Sequence, residues 1–153
     1  MKILVADIAA EPGRLLRSRF YCLNANGNSD IAITQTLLDF VEGLHDLWPR
    51  MEEAIALQQS GQYTTDHPDS SDFSINDIEL WLRPPMAQPG HVCISTDYTE
   101  AYSVEHGQPQ QFTYEQFRAA MTHWHAFQER ITKEGKESMV GQRFEAPWPE
   151  ANG

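Results

Sequence analysis

The sequence contains little cysteine and no long apolar segment. Two cysteines in 153 residues, Cys22 and Cys93, are too few for a disulfide framework, so we interpret both as reduced core thiols. No segment approaches the roughly 18 apolar residues that a membrane-spanning helix requires. The first apolar run is short and is interrupted by Asp7, which does not fit a signal peptide. These absences predict a cytoplasmic protein that does not associate with membranes.

Basic residues are also scarce, and this limits the classes of partner. The chain has 11 basic and 22 acidic residues, which give a formal charge of −11. Nucleic acids and anionic membranes are bound through basic patches, so neither is an expected partner. The negative charge is concentrated mid-chain, because residues 20–82 contain eleven acidic residues and one basic residue, Arg50. We therefore expect an acidic surface built from the central segment.

Catalytic and metal-binding motifs are missing as well. The sequence has no nucleophile elbow, no phosphate-binding loop, no H-E-x-x-H helix and no C-x-x-C pair. His123 and His125 are two residues apart, so on a helix they point in different directions and predict no metal site. Asp66, Asp69 and Asp72 lack the ligand order of a calcium-binding loop. We predict a protein that is not an enzyme and that uses no cofactor or metal.

Residues 112–135 have the complete pattern of an amphipathic helix. Thr113 and Gln116 form a capping box at its start, and Gly135 is a suitable residue to end it. The apolar residues recur at three- and four-residue steps, so one side of the helix must be covered by other elements. These apolar residues are Phe117, Ala120, Met121, Trp124, Phe127 and Ile131.

A second amphipathic helix is predicted over residues 33–48. Pro49 follows, and it lacks the amide donor that a continuing helix needs. Two outcomes are open: a new helix begins near Asp46, or a bent helix continues to Gly61. The apolar residues that carry this pattern are Ile33, Leu37, Phe40, Val41, Leu44 and Trp48.

The remaining patterns indicate strands. The tail after Gly135 has enough apolar residues, among them Phe144 and Trp148, to dock as a strand or an extended arm, whereas Pro147 and Pro149 predict fraying after about residue 145. Together with the helices, the strands predict an α+β fold, in which an antiparallel sheet of about four to five strands packs against two to three amphipathic helices. We interpret residues 1–153 as a single domain. The predicted strands cover residues 2–8, 15–23, 77–83, 91–95 and 101–105.

Residues 77–83 alternate cleanly and place Trp81 on the same face as Glu79 and Arg83. Either a second layer covers this face, or Trp81 is an aromatic exposed among charges, as is common at protein interfaces. The second case predicts a partner-binding surface of acidic and aromatic residues. Its members are Asp66, Asp69, Asp72, Asp77, Glu79, Trp81, Asp97, Tyr98, Glu100 and Tyr102.

The stretch PQQFTYEQFRAAMTHWHAFQERI, residues 109–131, leads from a polar linker into the helix that bears the aromatic pair Trp124 and Phe127. In this stretch, in size and in acidity, the chain resembles the immunity proteins that accompany bacterial polymorphic toxins, including those of contact-dependent inhibition and type VI systems. The resemblance implies a cytosolic inhibitor of a cognate toxin domain, often a nuclease with a cationic cleft. It assigns no functional residue.

We therefore predict an acidic inhibitor, used in bacterial competition, that binds and neutralises a basic toxin domain. Two alternatives stay open: a phage- or plasmid-encoded inhibitor of a host nuclease, and a small enzyme with dispersed catalytic residues. An enzyme predicts a deep pocket lined by a carboxylate and several histidines, whereas an inhibitor predicts a broad acidic surface. The candidate histidines are His91, His106, His123 and His125.

Overall fold

The computed structural model describes residues 1–13, 15–44, 47–64, 70–75, 77–96 and 109–150. Within these ranges the chain forms seven strands and four helices, and the strands are arranged in two antiparallel sheets. The α+β class is therefore confirmed, although the strands form two sheets where the sequence predicts one. None of the helices in these ranges is both long and apolar enough to cross a bilayer.

The first sheet contains β1 (Ile3–Ala9), β2 (Arg17–Leu23) and β7 (Arg143–Pro147), with β1 in the centre. Strand β7 continues past residue 145, and the backbone N–H of Trp148 donates to the carbonyl of Lys2 at 3.0 Å. Trp148 is also buried. The tail therefore docks as a strand through Pro147, which is tolerated because β7 lies at the edge of the sheet.

The second sheet contains four short antiparallel strands, in the order β3, β4, β5 and β6. The sequence predicts neither β3, which has only three residues, nor β6, which has a single apolar residue and therefore no alternation. The predicted strand at residues 101–105 lies outside the described residues. The strands are β3 (Phe73–Ile75), β4 (Ile78–Trp81), β5 (His91–Thr96) and β6 (Gln110–Thr113).

Helix α1 follows β2 and consists of three consecutive segments: Ile31–Ile33, the π-helical segment Thr34–Leu38, and Asp39–Leu44. The carboxylate of Asp30 caps it by accepting a hydrogen bond from the backbone N–H of Ile33 at 3.1 Å. A new helix, α2 (Trp48–Gln59), then begins with its proline in the first turn. This position tolerates proline, because the first amides of a helix have no intrahelical partner.

Helix α3 (Tyr114–Glu134) confirms the predicted capping box. The N–H of Gln116 donates to the Thr113 hydroxyl, and the N–H of Thr113 donates to the Gln116 side chain, both at 3.1 Å. Gly135 ends the helix with a φ of 78°, in the region that favours glycine. A short helix, α4 (Lys136–Met139), connects it to β7.

Helix α3 packs against the inner face of the first sheet through aromatic rings. Trp124 stacks on Phe20 of β2 with ring centroids 5.1 Å apart, and Phe127 contacts Phe144 of β7 at 5.5 Å. The same helix contributes to a single core cluster that includes residues of α1 and of both sheets. Cys22 and Cys93 are buried free thiols, as the sequence predicts.

A buried aspartate between an arginine and a tyrosine occurs twice: Asp7 of β1 accepts from Arg19 and Tyr21, and Asp72, just before β3, has a similar pair. Asp72 accepts hydrogen bonds from Tyr63 Oη at 2.8 Å, Arg83 Nε at 3.0 Å and the backbone N–H of Leu82 at 2.7 Å. Its side chain is 0% exposed, so it contributes nothing to a contact surface. Asp72, which the sequence places among the partner-binding residues, instead neutralises Arg83 inside the fold.

We expect the substitution Asp72→Asn to lower the free energy of unfolding by at least about 2 kcal/mol. Whichever way the new amide turns, its NH₂ group faces another donor, and Arg83 loses its counter-charge. Urea denaturation followed by circular dichroism measures the change. The control is Asp77→Asn, at an exposed position of the same hairpin, which we expect to stay within about 0.5 kcal/mol. Equal stability of both variants contradicts this account of Asp72.

Candidate functional site

The predicted partner-binding surface is only partly described. Of its members, Asp72 is internal, whereas Asp77, Glu79 and Trp81 lie on the β3–β4 hairpin. The other six lie outside the described residues: Asp66, Asp69, Asp97, Tyr98, Glu100 and Tyr102.

Strand β4 directs an acidic and an aromatic side chain to the side of the sheet that faces away from the core. Ile78 and Leu80 are buried in the core, and the alternating Glu79 and Trp81 are half-buried on the opposite face. Asp77 precedes the strand and is exposed. We call Asp77, Glu79 and Trp81 the hairpin face.

On β5 and β6, this side of the sheet is covered rather than open. Cys93, which pairs with Trp81 across β4 and β5, is fully buried, and burial raises the pKa of its thiol. The side chain of Gln111 accepts a hydrogen bond from the N–H of Gln88 at 3.0 Å and donates to the carbonyl of Met86 at 2.8 Å. The segment before β5 therefore folds against this side, and the hairpin face is left at its margin.

The described histidines do not converge on one site. His91 Nδ1 lies 2.9 Å from the carbonyl of Pro89, and His123 Nε2 lies 2.9 Å from the carbonyl of Phe144. His125 contacts Glu129 on its own helix, and it lines a different cleft from His123. His106 lies outside the described residues. Within the described ranges, no group of three potential metal ligands is present.

A polar cleft of about 480 Å³ lies between strand β2 and helix α1. Gln35, Asp39 and Glu42 line its helix wall, at steps of four and three residues that place them on one side of α1. The wall begins in the π-helical segment, a feature often found at functional sites. The sequence does not predict this cleft, although the helical spacing of three polar residues is a usable signal for it. The strand wall consists of Arg17, Ser18, Arg19, Phe20 and Tyr21.

Hydrogen bonds from the edge of β2 hold α1 in place beside the cleft. The N–H of Cys22 donates to Thr34 Oγ1 at 3.0 Å, and the backbone of Phe20 donates to the carboxylate of Glu42. These bonds use backbone donors that an edge strand otherwise exposes. The polar side of α1 is therefore directed at β2 rather than at solvent.

Glu42 is an acid of this cleft whose pKa is strongly raised. Burial raises the pKa of Glu42 to about 7, and the charge of Asp39 acts in the same direction. The charge of Arg17 and the hydrogen bond from Phe20 oppose this rise. Glu42 therefore exchanges its proton near neutral pH, which is a property of many functional carboxylates.

No protein family, curated protein or solved structure matches this chain. Geometry and charge single out two candidate sites, the hairpin face and the cleft between β2 and α1.

We expect Glu42→Gln to stabilise the protein at about pH 8 but not at about pH 4.5. The pKa of Glu42 is about 7 in the folded protein against an ordinary value of 4.5, so the folded state binds more protons between these values. The contribution of Glu42 to stability is therefore complete below pH 4.5 and is lost as the pH rises through 7.

Urea denaturation at several pH values measures this difference. We expect the variant to gain about 1 to 2 kcal/mol over the natural protein at the higher pH, allowing for solvent screening. Glu53→Gln removes a carboxylate at an exposed position of α2 and is the matched control. A constant difference between Glu42→Gln and the natural protein at all pH values contradicts the proposed titration.

Proposed function

We propose that this protein is an acidic inhibitor that binds a cationic protein domain, namely a cognate toxin of bacterial competition, and neutralises it. The hairpin face forms part of the contact surface. One observation carries the proposal. The hairpin face combines the exposed carboxylate of Asp77 and the half-exposed carboxylate of Glu79 with the ring of Trp81. Aromatic anchors are enriched at the centres of protein interfaces, and carboxylates beside them select a basic partner.

The charge of the surrounding chain supports this proposal. Residues 51–117 contain eleven acidic residues and one basic residue, Arg83. The Arg83 guanidinium donates to Asp72 at 3.0 Å and to the carbonyl of Ser70 at 3.1 Å. It is therefore bound within the fold rather than to the hairpin face. The excess negative charge raises the rate of encounter with a positively charged domain.

A nuclease toxin is the class of partner that fits this charge best. The cleft of a nuclease is lined by lysine and arginine because it must attract phosphates. Carboxylates next to an aromatic ring offer such a cleft negative charge together with a stacking surface for its guanidinium groups. The inhibitor would thus occupy the place of the nucleic acid. A host nuclease would present the same chemistry, so the toxicity of the bound partner separates the two cases.

The test begins with capture of the partner by tagged protein from the producing cells, followed by expression of that partner alone in a bacterial host. We expect the partner to arrest growth and co-expression of this protein to restore it. The double substitution Asp77→Lys with Glu79→Lys should weaken binding by at least about tenfold and flatten its dependence on salt, because attractive charge pairs are lost. Calorimetry at about 50 mM and about 200 mM salt measures both effects.

The matched control is Glu53→Lys with Glu145→Lys, which changes the net charge equally at exposed positions away from the hairpin face. We expect this control to bind nearly as well as the natural protein and to rescue growth. Equal loss of binding in the two variants would assign recognition to net charge rather than to the hairpin face. A captured partner that is harmless to the host removes the proposed inhibitor function.

A further inference from the structure

Another cleft, of about 240 Å³, lies where helices α1, α2 and α3 meet, and aromatic rings form part of its wall. The indole of Trp48, from the first turn of α2, and the indole of Trp124, from α3, line it together with the imidazole of His125. All three side chains are at least partly exposed, so a ligand can reach them. We call this the tryptophan cleft. Its other lining residues are Val41, Leu44, Met121 and Gln128.

Contacts with neighbouring rings hold these aromatic side chains in place before any ligand binds. Trp124 stacks on Phe20 with ring centroids 5.1 Å apart, and it packs beside Phe127 at 5.5 Å. The ring of Trp48 lies 5.8 Å from the ring of His125, and this contact joins the start of α2 to α3. A site whose side chains are already ordered loses less conformational entropy when it binds a ligand.

The electrostatics of the tryptophan cleft favour a cation. Aromatic rings carry negative charge on their faces, and among them the indole attracts cations most strongly. No lysine or arginine is among the described residues that line the cleft. The carboxylate of Glu129 lies 3.4 Å from His125 Nε2, beside the cleft, and the whole chain has a formal charge of −11. A positively charged ligand is therefore attracted to this place.

We propose that the tryptophan cleft binds a small organic cation whose charge is carried by a trimethylammonium group. A primary ammonium or guanidinium group would lose hydrogen bonds to water that the cleft does not replace, because among its described lining only Gln128 and His125 offer oxygen or nitrogen side-chain acceptors. A trimethylammonium group has no N–H donor to satisfy, and its methyl groups suit the surfaces of the indole rings. This proposal is independent of the inhibitor function.

The size of the tryptophan cleft indicates that the cation is a free small molecule. A volume of about 240 Å³ is below the range of roughly 300 to 1,000 Å³ of drug-sized sites, so the cleft admits a compact cationic group and little more. A peptide that carried a methylated lysine would also need partners for its backbone amides and carbonyls. Gln128 and His125 are too few to supply them.

The test is a titration of the full chain with choline, followed by nuclear magnetic resonance of the indole N–H groups of its tryptophans. The neutral probe of the same shape is neohexanol, in which a carbon atom replaces the charged nitrogen of choline. We expect choline to shift the signals of Trp48 and Trp124 saturably at concentrations up to about 20 mM, whereas those of Trp81 and Trp148 stay in place. Neohexanol makes no cation–π contact, so it should bind at least about fivefold more weakly. Sodium chloride at equal concentration controls for ionic strength.

Substitutions at Trp48 and Gln128 separate the contributions of the ring and of charge. Trp48→Leu removes one ring but keeps an apolar side chain, and it should weaken choline binding by at least about fivefold, whereas Trp48→Phe should retain most of the affinity. Gln128→Lys places a like charge at the cleft without altering a ring, and it should abolish choline binding. Gln128→Met has a similar length and should bind nearly as the natural protein does. Unfolding midpoints establish that each variant is folded.

Four results would overturn the proposal. Three are the absence of a saturable shift at Trp48 and Trp124, equal binding of neohexanol and choline, and unchanged choline binding in Gln128→Lys. The fourth is tighter binding of a blocked Gly-trimethyllysine-Gly peptide than of choline, which would assign the cleft to a modified protein instead of a free cation. None of these results bears on the hairpin face, whose residues are unaltered in these variants.

Discussion

The burial of the apolar side of α3 is the constraint on which the remainder of the structure depends. This helix cannot be stable alone in water with a row of large apolar side chains exposed, and burying each such side chain contributes about 1.5 to 3 kcal/mol. Phe20 and Phe144 cover it from the first sheet, and Phe40 of α1 contacts Phe117 at 6.3 Å. On the far side, Phe112 of β6 meets Trp148 edge-on at 6.1 Å, which joins the second sheet to the chain after β7. Each element is therefore placed by its contribution to one core.

Because basic residues are scarce, the surface of the protein keeps an excess of negative charge. Arg19 and Arg83, one for each sheet, neutralise buried aspartates. A buried carboxylate without a partner would strongly destabilise the folded state. These two arginines therefore do not balance the negative charge of the acidic residues at the surface. The hairpin face and the cleft beside α1 both result from this distribution. One presents carboxylates to solvent, and the other presents a half-buried carboxylate whose charge is not fully compensated.

Prediction from the sequence succeeded where the signal is local and failed where it depends on distant residues. The capping box of α3, its apolar stripe and the alternation of β4 are each set by residues a few positions apart. Strand β3 has only three residues and β6 has a single apolar residue, so neither carries such a signal. Both form because longer neighbours supply their hydrogen-bond partners. The prediction that Asp72 binds a partner was wrong for the same reason. A run of acidic residues in a polar segment does not reveal that Tyr63 and Arg83 enclose Asp72 inside the fold. At the site, the outward direction of Glu79 and Trp81 was predictable, whereas the cleft required β2 and α1 to be placed together.

The sequence by itself determined the α+β class, the limits and buried side of α3, the burial of the two free cysteines and the excess of acidic residues in the middle of the chain. These properties follow from composition and from periodicity, which relates residues that are only one or two helical turns apart. The tertiary structure decided the division of the strands into two sheets, the docking of the C-terminal strand and the choice of which carboxylates are neutralised inside. Those outcomes depend on which side chains are in contact across the core. Such contacts join residues that are far apart in the chain, so a local pattern of residues does not reveal them.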